Sequence, residues 1–207
     1  MRPVIVFDLD GTLVDSLPDI VASFLQAFPA VGLAAPEEGA VRATLGQPLE
    51  TMYRAFAPTE HVDALCDSYR AHYDAHMADH SRPYPGVPEL LTELGRRGYL
   101  RAVASTKRTD TARRLVQATG LAGLLDHVEG SDAAPYTPAP DVVLRAVEAA
   151  GGRGAWMVGD TAGDVLAGRA AGLRTYAVSW GTHGEEALAS ARPDALEPDL
   201  TALPSLL

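Results

Sequence analysis

Cysteine and lysine are nearly absent from this chain. It has one cysteine, Cys66, and one lysine, Lys107, against sixteen arginines. A single cysteine excludes an intrachain disulfide and fits a reducing compartment, so we expect a cytoplasmic protein. Lysine is scarce while alanine, glycine, proline and arginine are abundant, and coding bias explains this composition. The informative feature is therefore the position of Lys107.

Long hydrophobic runs and positive charge are lacking as well. No apolar stretch is long enough to span a membrane, and the first residues lack the hydrophobic region and cleavage site of a signal peptide. The formal net charge of −10 argues against a nucleic-acid partner, because phosphates would be repelled. A small phosphorylated metabolite stays possible, since local positive groups decide such binding. The sequence gives no indication of oligomeric state.

The pattern of apolar residues predicts one α/β domain with a helical insertion. Strands are predicted at residues 4–7, 100–104, 127–129, 155–158 and 175–178. Helices are predicted at residues 87–97 and 141–150. Another helix has Thr109 or Asp110 as its cap and stops before Gly120, and a fourth passes through Val165 and Leu166 and ends at Gly172. Alternating strands and helices indicate βαβ units and a parallel sheet. We therefore predict a Rossmann-like core domain from residues 1–14 and 84–207, with an all-helical domain, residues 15–83, inserted after the first strand.

Polar residues follow three of the predicted strands. Asp8 and Asp10 follow the first, Ser105 and Thr106 follow the second, and Asp160 follows the fourth. Ligands of such sheets bind at the carboxyl ends of the strands. Asp8 and Asp10, two residues apart in an extended segment, are expected to point the same way, and two such charges call for a cation or a shared proton. The pair suits a carboxylate nucleophile beside a carboxylate acid/base, with a hard metal ion between them.

Short motifs along nearly the whole chain resemble those of haloacid dehalogenase (HAD)-like hydrolases with a helical cap, in particular the phosphoglycolate phosphatase-like members. The resemblance is carried by Asp8-Leu9-Asp10-Gly11-Thr12, Asp15-Ser16, Tyr84-Pro85-Gly86-Val87, Ser105, Gly159-Asp160-Thr161 with Asp164, and Trp180-Gly181. It implies hydrolysis of a small phosphomonoester, such as phosphoglycolate or a sugar phosphate. A phosphomutase that uses the same intermediate is the alternative within the family.

The resemblance also implies residue roles. Asp8 would attack phosphorus and form an aspartyl-phosphate, and Asp10 would protonate the leaving oxygen and then take a proton from water. The implied cofactor is Mg²⁺, held by Asp8, the backbone carbonyl of Asp10 and Asp160, with Asp164 as a further ligand or as a residue that orients metal-bound water. Ser105 would hold the phosphoryl oxygens together with neighbouring backbone amides, including that of Thr106.

One position departs from the family pattern. The family carries a lysine just before a Pro-x-Pro stretch such as Pro138-Ala139-Pro140, and this chain has Thr137 there. Two explanations stay open. Lys107, two residues after Ser105, takes over the missing charge, or the protein is catalytically impaired and binds a phosphorylated metabolite without turnover. We carry Lys107 as a candidate catalytic residue.

The inserted helices supply the remaining candidates. In the resembling family this cap closes over the leaving group of the substrate. Arg42 and Gln47 could read a carboxylate or hydroxyl, and Gly46 could permit close approach; a plain turn between helices is the alternative. His183 follows Trp180-Gly181 and could lie near the rim of the pocket.

Overall fold

The computed structural model describes residues 1–132 and 138–207, so Thr137 lies outside the described residues. The described chain forms two compact units. One is made of Met1–Asp15 and Arg82–Leu207, and the other of Ser16–Ser81. None of the helices in the described ranges has both the length and the apolar character needed to cross a bilayer.

A parallel sheet lies at the centre of the first unit. Its strands are β1 (Pro3–Phe7), β4 (Leu100–Ala104), β5 (His127–Glu129), β6 (Arg153–Gly159), β7 (Arg174–Val178) and β8 (Ala195–Glu197). They are arranged in the order β5-β4-β1-β6-β7-β8, and every neighbouring pair is parallel. The predicted α/β class with a parallel sheet is confirmed.

Helices alternate with the strands of this sheet, and all except the last of them were predicted from the sequence. They are α5 (Val87–Arg96), α6 (Thr109–Ala118), α7 (Asp141–Ala150), α8 (Ala162–Ala170) and α9 (Glu185–Ser190). Strand β1 is apolar along its whole length because both faces of a central parallel strand are covered. On one face Val4 and Val6 share a core cluster with Val142 and Val143 of α7. A strand buried in this way is a rigid support for the residues that follow it.

The second unit is helical. Its elements are α1 (Leu17–Ala30), α2 (Glu38–Arg42), α3 (Leu49–Arg54) and α4 (Thr59–His76). Aromatic residues dominate its core, where the rings of Phe24 and Tyr53 stack with centroids 4.1 Å apart. Buried aromatic pairs of this kind contribute about 0.5–1.5 kcal/mol beyond the area that they bury.

The two ends of the helical segment are held together by a pair of short strands in the first unit and by hydrogen bonds to one aspartate in the second. Strands β2 (Val14–Asp15) and β3 (Arg82–Pro83) pair antiparallel at its two boundaries. Within the helical unit, the buried carboxylate of Asp19 accepts hydrogen bonds from both backbone amides of His80 and Ser81, from the Ser81 hydroxyl at 2.7 Å and from the His80 ring at 2.9 Å. Burial alone would raise the pKa of Asp19, but these hydrogen bonds outweigh it and hold the pKa below its usual value.

Asp19→Asn is expected to destabilise the protein by about 2–3 kcal/mol, because several hydrogen bonds to a buried charge are lost. The sign of the pKa shift sets the pH dependence. A carboxyl whose pKa is lowered by folding stabilises the folded state at pH values above its unfolded-state pKa. This contribution is lost as the pH falls through its folded-state pKa. Denaturant unfolding near neutral pH measures the loss, and it should shrink in acid. The exposed Asp67→Asn is the control, and an equal loss in both variants would contradict the prediction.

The structure differs from the sequence analysis at the start of α6 and in two elements that were not predicted. Helix α6 has Arg108 at its N-cap, and neither Thr109 nor Asp110 supplies a capping side chain. The Thr109 amide instead donates to the distant carboxylate of Asp132, a partner that local sequence cannot reveal. Strand β8 and helix α9 extend the fold beyond residue 178, and neither was predicted from the sequence.

Candidate active site

The three polar strand ends lie on neighbouring strands. Strand β1 has β4 on one side and β6 on the other, so the segments that begin with Asp8, Ser105 and Asp160 leave the sheet side by side. Strand β1 ends at Phe7, so Asp8 and Asp10 lie beyond the regular alternation of side chains that the sequence analysis assumed. Their carboxylates have different partners.

Asp8, Asp160 and Asp164 form an acidic cluster. One carboxylate oxygen from each lies within 4.8 Å of the other two, and within residues 1–132 and 138–207 no other group of three or more metal-ligating side chains is this close. Asp160 and Asp164 are buried, whereas Asp8 is partly exposed. Three carboxylates around one point supply the oxygen ligands that hard divalent cations prefer.

Both oxygens of Asp160 are fixed by hydrogen bonds. The Thr12 hydroxyl donates to Oδ1 at 2.7 Å, and the Thr182 amide donates to Oδ2 at 2.6 Å. Glycines make this packing possible, since a Cβ built at Gly11 or Gly181 would collide with the Asp160 carboxylate. Gly11 also has a φ of +82°, which side-chain-bearing residues rarely adopt.

Asp164 is held by the start of its own helix. Thr161 and Asp164 form a capping box at the N-terminus of α8, in which the Thr161 hydroxyl accepts from the Asp164 amide and Asp164 Oδ2 accepts from the Thr161 amide at 3.0 Å. The box satisfies backbone donors that a helix start leaves unpaired. It also fixes the carboxylate that faces Asp160.

Burial raises the pKa values of all three acids, and the charges of neighbouring carboxylates add to this effect. Burial is the main cause at Asp8, where the charges of Asp164 and Asp160 add to it. Burial also raises the pKa of Asp160, and together with the charge of Asp160 it raises the pKa of Asp164 to about 7. A divalent cation bound among these oxygens would offset the repulsion between them. The oxygens, burial and charge of the cluster fit a divalent metal.

Asp10 faces a cation instead of the acidic cluster. Lys107 Nζ lies 3.0 Å from Asp10 Oδ2, and the two side chains are only 12% and 15% exposed. The chain's single lysine therefore lies beside the predicted acid/base residue. An ion pair this sheltered is screened by solvent far less than a surface pair.

The loop after β5 holds the segment that carries Lys107. The Ser131 amide donates to the Lys107 carbonyl at 2.8 Å, and the Ser131 hydroxyl donates to the Thr106 carbonyl at 2.5 Å. Gly130 is packed so tightly that an added Cβ would collide with the Lys107 carbonyl. Ser105 is buried, and its hydroxyl oxygen accepts from the Lys107 amide at 3.1 Å. The Ser105–Lys107 turn is thus fixed on two sides.

The candidates of the helical unit lie on a turn between helices. Arg42 ends α2, where it pairs with Glu38 at 2.8 Å, and Gly46 has a φ of +86° in the turn before α3. Arg42, Gly46 and Gln47 are all exposed. Their contact with substrate stays a prediction.

The loop after β7 contacts both Tyr84 and Asp160. The rings of Tyr84 and Trp180 stack with centroids 4.5 Å apart, and Gly181 and Thr182 contact Asp160. His183 Nδ1 accepts a hydrogen bond from the Ala162 amide at 3.0 Å. The sequence marked this loop by the Trp180-Gly181 motif and by His183 as a residue near the pocket rim, but it gave no sign of the hydrogen bond between Ala162 and His183.

The fold is a parallel α/β sheet, and the ends of its strands carry an acidic cluster that could hold a divalent metal. The model of the haloacid dehalogenase-like hydrolase family matches residues 5–178, and the chain belongs to that family. It is 35% identical to the probable phosphatase IndB of Dickeya dadantii, over 95% of this chain and 89% of the relative. It is 34% identical to a phosphoglycolate phosphatase of Agrobacterium fabrum, over 98% and 91%. A haloacid dehalogenase-like hydrolase from Streptococcus pneumoniae superposes with a TM-score of 0.90 at 28% identity, covering 100% of this chain and 99% of that structure.

Proposed function

We propose that this protein is a Mg²⁺-dependent phosphatase that hydrolyses a small phosphomonoester through an aspartyl-phosphate on Asp8. The observation that carries the proposal is the convergence of Asp8, Asp160 and Asp164 within 4.8 Å, beside the Asp10–Lys107 pair at 3.0 Å. The similarity to phosphatases over nearly the whole chain supports the same reaction class.

Each residue at the strand ends has a role in this reaction. An oxygen of Asp8 attacks phosphorus, and the bond from phosphorus to the ester oxygen breaks as Asp10 donates a proton to the leaving alcohol. A water molecule then attacks the phosphoryl group on Asp8 while Asp10 takes its proton, which releases phosphate and restores both residues. The fixed turn at Ser105 offers its hydroxyl and the Thr106 amide to the phosphoryl oxygens.

Mg²⁺ would be held by Asp8, Asp160, Asp164 and the backbone carbonyl of Asp10. Bound there, it would neutralise charge on the transferring phosphoryl group, which is the main requirement of phosphoryl transfer. Lys107 adds one positive charge from the side of Asp10. The carboxylates repel a phosphate dianion, so these cations are needed for substrate binding as well as for the reaction.

A phosphate-release assay tests the proposal. The purified protein is incubated with phosphoglycolate, sugar phosphates, nucleotides and pyrophosphate, with Mg²⁺ or with a chelator. We expect release from at least one monoester with Mg²⁺ only. Transfer of phosphate between positions of a sugar without release would instead reveal a phosphomutase. Binding of a phosphate mimic without turnover on any compound would favour the impaired, metabolite-binding alternative.

Mg²⁺ is expected to raise the melting temperature more at about pH 8 than at about pH 6. The folded-state pKa values of Asp8, Asp160 and Asp164 are raised, so these acids favour folding most below the unfolded pKa and lose that contribution as the pH rises through about 7 at Asp164. A cation bound to the ionised cluster offsets the loss and binds less well when protons compete. Thermal melts with and without Mg²⁺ measure this. Asp164→Asn should reduce the pH dependence, and an equal shift at both pH values would refute the prediction.

A further inference from the structure

The turn between β6 and α8 carries two of the three acids of the cluster. Asp160 follows the strand directly, Thr161 is the N-cap of α8, and Asp164 lies in the first turn of that helix. A small rotation of the turn would therefore move both carboxylates at once. Residues that fix this turn control the geometry of the whole site.

The segment Thr182–His183 lies against this turn and is bonded to it at three points. The Thr182 amide donates to Asp160 Oδ2 at 2.6 Å, and the His183 amide donates to the Asp160 carbonyl at 3.2 Å. His183 Nδ1 then accepts from the Ala162 amide at 3.0 Å. The side chain and backbone of one residue thus hold the peptide groups on both sides of Thr161.

The bond to Ala162 satisfies a donor that the helix itself leaves unpaired. Ala162 is the first residue of α8, and the first four amides of a helix have no partner within it. The Thr161 hydroxyl serves the Asp164 amide, and His183 serves the Ala162 amide. Since Nδ1 accepts, the proton of the neutral ring is on Nε2. The acceptor atom matters here, so a side chain that places an acceptor at the same distance from Cβ should replace it.

The geometry points to His183 as a positioning residue for the divalent cation: it fixes the Asp160–Ala162 turn so that Asp160 and Asp164 face the ion together. This inference rests on the proposed function, because it takes the acidic cluster as the metal site. Outer residues that orient metal ligands typically contribute about 10–100-fold to metal affinity. The stacked Tyr84–Trp180 pair precedes this segment and anchors its other end.

Isothermal titration with Mg²⁺ alone tests the inference in the full chain. His183→Ala should weaken Mg²⁺ binding about tenfold, whereas His183→Asn should stay close to wild type, because its Oδ1 takes the place of Nδ1. His183→Gln places its acceptor one bond further out and should behave like His183→Ala. The difference between the asparagine and glutamine variants separates positioning from simple loss of packing. His76→Ala, at a half-exposed histidine of α4, is the control and should bind as wild type does.

Amide hydrogen exchange at Ala162 supplies a readout that needs no metal. Exchange should be faster in the alanine and glutamine variants than in the wild type and the asparagine variant. If wild type binds Mg²⁺ and His183→Ala binds it equally well, the inference is wrong while the proposed function stands. If wild type binds no Mg²⁺, the proposed metal site fails and the inference fails with it.

Discussion

Asp8→Asn is expected to lower kcat by at least about 10⁴-fold, because an amide oxygen is too weak a nucleophile to take the phosphoryl group. The variant should fold, since it removes one of three mutually repelling carboxylates. Its melting temperature without metal should equal or exceed that of wild type near neutral pH. Initial rates of phosphate release measure the first effect, and thermal melts measure the second.

A labelling experiment identifies the covalent step. With a ³²P-labelled substrate, acid-quenched wild type should retain a phosphoryl group that hydroxylamine removes, and Asp8→Asn should retain none. Asp63→Asn, at an exposed position of α4, is the matched control and should behave as wild type in both assays. Turnover by Asp8→Asn within tenfold of wild type would end the proposed mechanism.

Lys107→Met is expected to lower kcat/KM by about 10²–10³-fold, the effect of removing one preorganised charge from a phosphoryl-transfer site. Methionine keeps most of the length of the side chain, so the change removes charge with little loss of packing. Lys107→Arg should recover part of the activity. Steady-state kinetics with the best substrate measure the losses, and Arg108→Ala, at an exposed neighbour, is the control that should leave them unchanged.

A second substitution addresses the family position at Thr137. If Lys107 has taken over the missing charge, Thr137→Lys should restore activity to Lys107→Met and add little to wild type. Wild-type rates in Lys107→Met would show that the lysine has no part in the reaction. A large gain from Thr137→Lys in an otherwise inactive wild type would identify an impaired protein.

Local signals predicted much of the sheet unit. Strand β4, strand β5 and helix α7 have the bounds expected from the sequence, because glycines and prolines such as Gly98, Gly130 and Pro140 lie close to their ends. Strand β8 escaped prediction because its alanine, leucine and glutamate are residue types that favour helices over strands. Its pairing with Tyr176–Val178 depends on the sheet that is already there.

The partners within the site could not be predicted in the same way. Sequence motifs indicated Asp8, Asp10 and Asp160 by type and spacing, but the hydrogen bonds that aim them join distant segments. Thr12 reaches Asp160 across 148 positions, and Lys107 reaches Asp10 across the gap between two strand ends. The local spacing of apolar residues cannot predict such contacts, because they depend on the order of the strands in the sheet.

The paired ends of the helical segment have a consequence for engineering. Val14 pairs with Pro83 and Asp15 with Arg82, so the polypeptide departs and returns at neighbouring positions. Antiparallel residues this close can be joined by a two-residue hairpin turn. The helical segment can therefore be exchanged as a unit. A short loop can replace residues 16–81, or a different set of helices can be inserted there, while the order of the strands in the sheet stays the same.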